Sequence, residues 1–122
     1  MLKLAYNLLM NDWTIKFYEN SRSDRPVEYF INRQDAPTYA KIIRLIDALS
    51  KHGPNLGMPY SKYLGDGLLE LRIVGKNNVR IIYIYYRDRD IYLLHAFKKK
   101  TQKTPIKELR LAINRKKELT KI

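Results

Sequence analysis

Two apolar runs, VRIIYIYY at residues 79–86 and DIYLLHAF at residues 90–97, are separated only by Arg87-Asp88-Arg89. β-Branched and aromatic residues dominate both, so each reads as a strand, and the short polar link makes them neighbours in a meander. Strands this apolar need cover on both faces, which places them at the centre of a sheet. The rest of the chain has to supply that cover.

The segment LLELRIV, residues 68–74, alternates, with Leu69, Leu71 and Ile73 on one side and Leu68, Glu70 and Arg72 on the other. Gly75-Lys76-Asn77-Asn78 joins it to the next strand as a hairpin connection. Upstream, residues 60–64 read as a short edge strand carrying Lys62, followed by the turn Gly65-Asp66-Gly67. Residues 12–19, DWTIKFYE, set Trp13, Ile15 and Phe17 against Thr14, Lys16 and Tyr18, the pattern of a half-buried strand. Asp24 as N-cap and Pro26 in the first turn open a short helix with Val27, Phe30 and Ile31 on one side. The device recurs at Asp35-Ala36-Pro37, opening a longer helix striped by Ile42, Leu45, Ile46 and Leu49 and stopped at Gly53-Pro54. Residues 105–119 form a basic amphipathic helix with Ile106, Leu109 and Ile113 on its apolar side. The expectation is an α+β fold: a four- to five-stranded, mainly antiparallel sheet, an N-terminal helix hairpin packed on it, and a basic C-terminal helix. Residues 10–122 are expected to form one domain. Residues 1–10, MLKLAYNLLM, are too short to span a bilayer and lack a signal-peptide cleavage pattern. They read either as a short amphipathic extension, residues 1–9, or as sequence upstream of a working start at Met10.

The net charge of +12 repels itself in a folded domain, so the excess serves a partner. It is clustered: residues 98–121 hold ten Lys/Arg against two Glu. Nucleic acid leads among the partners, ahead of an anionic membrane surface or an acidic protein. With no cysteine, disulfides, Cys-ligated zinc and thiol nucleophiles are excluded. Two isolated histidines and no acidic cluster give no expectation of a metal, and no phosphate-binding glycine loop or nucleophile elbow is present. No cofactor is expected. A reducing cytoplasm is the simplest home.

The chemistry-bearing residues gather around the central strands. Lys98, Lys99 and Lys100 end the last strand, so they are pinned at the rim of the sheet. Glu70 and Arg72 share a face, and Arg80 begins the neighbouring strand across the hairpin. Arginines hold phosphate bidentately and lysines act as point charges or proton donors. Such a groove suits RNA phosphodiester chemistry, in which the 2′-hydroxyl attacks its own phosphate and the protein supplies alignment, charge and proton transfer. The plainer reading of Glu70 and Arg72 is a solvated pair on a sheet face, whereas Arg80, flanked by Val79 and Ile81, needs a partner. His95 reads as a hydrogen-bonded core residue ahead of a catalyst, and His52 as a helix-terminal residue. Tyr83, Tyr85, Tyr86 and Tyr92 read as core or sheet-surface aromatics, with Tyr83 the first candidate to stack a base.

The motifs GDGLLELR, VRIIY and LLHAFKKKTQKTP resemble the RelE/HigB superfamily of type II toxins, in its phage-derived HigB-like branch, across residues 10–119. The resemblance implies a small endoribonuclease, an mRNA interferase that cuts mRNA on the translating ribosome without metal. It also implies an antitoxin partner, often a helix-turn-helix protein, through which alone DNA is contacted, and no membrane partner. By position, Arg72 and Arg80 match the phosphate-binding arginines, Lys98–Lys100 the basic segment after the last strand, and Glu70 the glutamate of the ELR segment. Leu68 and Glu70 stand where the RelE branch has a lysine pair, and Pro105 stands near its C-terminal tyrosine. The general base is therefore open between Glu70 and a lysine, with a lysine as acid. The expected catalytic set is Glu70, Arg72, Arg80, Lys98 and Lys99, with Lys62, Tyr83, Lys100 and Lys103 binding RNA. The alternative is a non-catalytic RNA- or ribosome-binding module using the same groove.

Overall fold

The structure, a computed structural model, describes residues 12–120. The two readings of residues 1–10 lie outside the described residues. In chain order the elements are strand β1 (Thr14–Phe17), helices α1 (Pro26–Asn32) and α2 (Ala36–His52), strands β2 (Ser61–Gly65), β3 (Leu68–Ile73), β4 (Val79–Tyr86) and β5 (Asp90–Lys98), and helix α3 (Ile106–Leu119). One 3₁₀ turn, Gly53–Asn55, follows α2.

The five strands form one sheet in the order β1-β5-β4-β3-β2. The chain from β2 to β5 is a meander, and its three pairings are antiparallel. β1 pairs parallel with β5, because α1 and α2 lie on the route from β1 back to the sheet. The sheet is therefore mixed, with the apolar β4 at its middle as its composition requires.

Each face of the sheet has its own cover. Val27, Ile31, Ile42 and Leu49 of the helix pair pack on Leu71, Ile73, Val79, Ile81, Tyr83, Ile91 and Leu93. On the opposite face, Ala112 of α3, with partly buried Leu109 and Ile113, packs on Leu68, Ile82, Ile84, Leu94 and Phe97. The α3 stripe is thus Leu109, Ala112 and Ile113, and the expected Ile106 is 65% exposed at the first helical residue. Ala112 is fully buried, and so small a side chain lets the helix approach the sheet closely there.

The α2 cap is as expected: Asp35 accepts a hydrogen bond from the Thr38 amide at 2.8 Å. The α1 cap is not. Arg25 occupies that position without a side-chain bond to the helix end, while Asp24 is drawn into a turn with Asn20, whose Oδ1 accepts from the Asp24 amide at 2.9 Å. Competition from this local turn removes the carboxylate from the helix end.

One irregularity decides which residues reach which face. Ile82 is opposite His95 but Tyr83 is opposite Leu93, so Leu94 is an extra residue in β5. Beyond the bulge the alternation is reversed relative to Ile91 and Leu93. Ala96 joins the helix-pair side, and Phe97 joins the α3 side.

Gly53 ends α2 at φ 51°, ψ −130°, against the indole of Trp13. A β-carbon there would be strained in backbone and would collide with the ring. Gly53→Ala is expected to destabilise the fold by about 2 kcal/mol or more, read as a lower urea midpoint. An unchanged midpoint would contradict this packing.

Candidate nucleic-acid interface

The register of the meander builds a charged cluster on the α3 face. Arg72 lies directly opposite Arg80, and Glu70 lies opposite both Lys62 and Ile82. Arg80 is opposite Phe97, so Lys99, two residues further on, falls on the same side. The Lys99 amide continues the ladder by donating to the Asn78 carbonyl at 2.7 Å. Four cations and one carboxylate therefore converge from β2, β3, β4 and the end of β5.

Two arginines directly opposite one another repel, and Glu70 compensates. Its side chain is 1% exposed, with Oε1 3.6 Å from Arg80 Nε and Oε2 accepting from the Thr104 hydroxyl. The solvated-pair reading of Glu70 and Arg72 is thereby overturned, because the carboxylate is buried under Arg80 and the chain leading into α3. The Nε groups of both Arg72 and Arg80 are buried with no hydrogen-bond partner, while Arg80 Nη1 donates to the Val79 carbonyl at 3.1 Å. Burial pulls the Arg80 pKa down, Glu70 opposes this, and Arg72 adds to it. Burial likewise lowers the pKa of Lys99. Glu70 resists the change, whereas Arg80, Arg72 and Lys62 reinforce it.

Above this floor lies a cleft of about 370 Å³ lined by Arg72, Asn78, Arg80, Lys99, Lys100, Thr101 and Gln102. No carboxylate lines it. Guanidinium groups beside ammonium groups and amide or hydroxyl side chains make a receptor for a phosphate.

Of the expected site residues, Glu70, Arg72, Arg80 and Lys99 form this cluster, Lys62 flanks it, and exposed Lys100 lines the cleft. Three others are not brought in. Tyr83 is fully buried in the helix-side core with its hydroxyl paired to Ser61, so it has no free face for a base. Lys98 is opposite Val79 and belongs to the other face, where it lines a cleft with Tyr29, Phe30 and Arg33. Lys103 is exposed on the following loop, outside the lining of the cationic cleft.

Thr104 carries no local signal for its part in the cluster. Pro105 takes the cap position, freeing the Thr104 side chain to bind Glu70. Asn78, Thr101 and Gln102 carry no local signal, since the hairpin and loop meet only when β4 and β5 pair. His95 is a tether, as its apolar strand suggests: its Nε2 meets Glu108 Oε1 at 2.6 Å, and its ring stacks on Phe97. Burial depresses the His95 pKa against the pull of Glu108. Arg115 donates to the Leu94 carbonyl at 2.8 Å and completes the link between α3 and β5.

Fold and cleft together define an α+β protein with a cationic pocket at one end of a mixed sheet. The family model "Phage derived protein Gp49-like (DUF891)" matches residues 29–117, and the chain belongs to this family. The match runs from within α1 into α3 and includes every residue lining the cleft. No curated protein matches the chain. Among the described residues, no helix is long and apolar enough to cross a membrane, and no three His, Asp or Glu side chains gather as a metal site.

The electrostatics of the cleft are measurable at one atom. Lys99 Nζ, followed by NMR titration, is expected to lose its proton below the ordinary lysine range. Glu70→Gln removes the opposing carboxylate and should lower that pKa further, while Arg72→Ala should raise it. An ordinary value unmoved by either substitution would refute the cluster.

Proposed function

We propose that this protein is the toxin of a type II toxin–antitoxin system, of the RelE/HigB superfamily in its phage-derived HigB-like branch. It acts in the cytoplasm as a ribosome-dependent mRNA endoribonuclease, with residues 10–122 as its single working domain and residues 1–9 as an extension. Its partners are mRNA, the ribosome and a helix-turn-helix antitoxin through which alone it meets DNA. The observation that carries the reading is the pair of directly opposed arginines, Arg72 and Arg80, which line one cleft together with Lys99.

In this mechanism the arginines bind the non-bridging oxygens of the scissile phosphate and stabilise the charge that grows as the 2′-oxygen attacks phosphorus. The bond to the 5′-oxygen breaks, leaving a 2′,3′-cyclic phosphate. Lys99, with its lowered pKa, gives its proton to the departing 5′-oxygen. Both oxygens of Glu70 are committed to Arg80 and Thr104, so it serves as the residue that positions Arg80. The 2′-hydroxyl proton goes to solvent. The nucleophile belongs to the RNA itself, so the reaction needs no metal-bound water.

The commitment of Glu70 also favours a second reading, a non-catalytic RNA- or ribosome-binding module, because the cleft lining offers no carboxylate base. Translating ribosomes programmed with an end-labelled message separate the two. New 3′ ends are expected with the wild type. Arg80→Ala and Lys99→Ala should each reduce cleavage by about a hundredfold, and both should relieve growth arrest on expression. Lys98→Ala, on the opposite face, should lose far less. Binding without new 3′ ends would leave the module, and equal losses for Lys98 and Lys99 would sink the site assignment.

A further inference from the structure

A second concavity, of about 630 Å³, lies between α2 and the end of β3. Its floor and walls are Leu45, Ala48, Leu56, Pro59, Ile73 and Val74, together with the ring of Tyr60. Its rim carries Lys41, Arg44, His52 and Arg72, and no carboxylate lines it. The apolar surface is uncovered: Val74 is 69% and Tyr60 51% exposed. The ladder explains this, since β2 begins at Ser61 opposite Leu71 and leaves the end of β3 without a full neighbour. A concave apolar patch ringed by one sign of charge marks an interaction site.

We propose that this groove receives an acidic amphipathic helix of a partner protein. Apolar side chains fill the floor, and carboxylates pair with Lys41, Arg44 and Arg72. The volume suits roughly three large apolar side chains, the i, i+4, i+7 set of a helix laid in a groove. Other occupants fit less well. The floor and walls are aliphatic apart from the single ring of Tyr60, so they offer little for successive bases to stack on. A bilayer surface does not enter a concavity between a helix and a sheet. A second copy of this chain brings its own +12 charge. The chain's own MLKLAYNLLM segment carries Lys3 and no carboxylate to meet the rim.

Arg72 lines both this groove and the cationic cleft. A carboxylate seated on Arg72 therefore competes with RNA phosphate, which makes the groove a place from which the site is silenced. That consequence rests on the RNA-cleaving reading, whereas the docking does not.

The test uses the full-length protein and three synthetic peptides of about 18 residues, five helical turns. One is an amphipathic Leu/Glu helix, one replaces each Glu by Lys, and one scrambles the Leu/Glu sequence so that no apolar face forms. Methyl NMR should show saturable shifts at Leu45, Ile73 and Val74 with the first peptide only. Its affinity should exceed those of the other two by about tenfold or more. The double variant Lys41→Glu/Arg44→Glu should lose about tenfold in affinity for the Leu/Glu peptide and escape its inhibition, while cutting message at the wild-type rate. Equal binding by the scrambled or basic peptide, shifts that map elsewhere, or no saturable shift would overturn the proposal. If the peptide seats in the groove but no message is cut, docking stands and the nuclease reading fails. If message is cut and the peptide does not seat, docking alone fails.

Discussion

A buried carboxylate governs this structure. Glu70 is almost wholly removed from water, so its charge has to be compensated by groups fixed around it. Arg80 compensates from the neighbouring strand and Thr104 from the approach to α3, which ties two elements distant in sequence to one side chain. This arrangement lets Arg80 be buried in the middle of a sheet and lets Arg72 sit opposite it. Without the carboxylate, two guanidinium groups would face each other across an antiparallel pair with nothing to offset their repulsion. The same group limits how far the pKa of Lys99 falls. Fold and candidate site depend on one ion pair.

The two faces of the sheet divide the remaining work. The helix-pair face is apolar along the lengths of β3, β4 and β5, and it holds the larger core. The α3 face is apolar around Leu68, Ile82, Ile84 and Leu94, and becomes polar where Glu70, Arg72, Arg80 and Lys99 gather. A cationic pocket is thus set on packed strands, which hold donors in place with less loss of side-chain freedom than a loop would. Arg72 stands where this pocket meets the apolar groove under α2, so a partner bound in the groove meets the same charge that a phosphate would.

Much of this architecture is legible in the chain. The 79–86 strand has the expected bounds, and the neighbouring strands end within one residue of them, because β-branched and aromatic runs between polar turns leave little freedom. Asp35 and Gly53 delimit α2 through local chemistry that the residues themselves carry. The misreadings share a cause. Asp24, Tyr83 and Ile106 each depend on a neighbour that sequence spacing does not reveal: Asn20 in a turn, Ser61 on β2, and Ala112 packed on the sheet.

The sequence by itself determined that a basic cluster would end the last strand beside two arginines, since hairpin links force strands 68–74, 79–86 and 90–97 to lie side by side. Which lysine would join the arginines was decided only by tertiary structure. Strict alternation from Ile91 and Leu93 sends Lys99 to the helix-pair side and Lys98 to the other. The extra residue at Leu94 reverses that assignment, because a period of two turns a one-residue bulge into a change of face for everything beyond it.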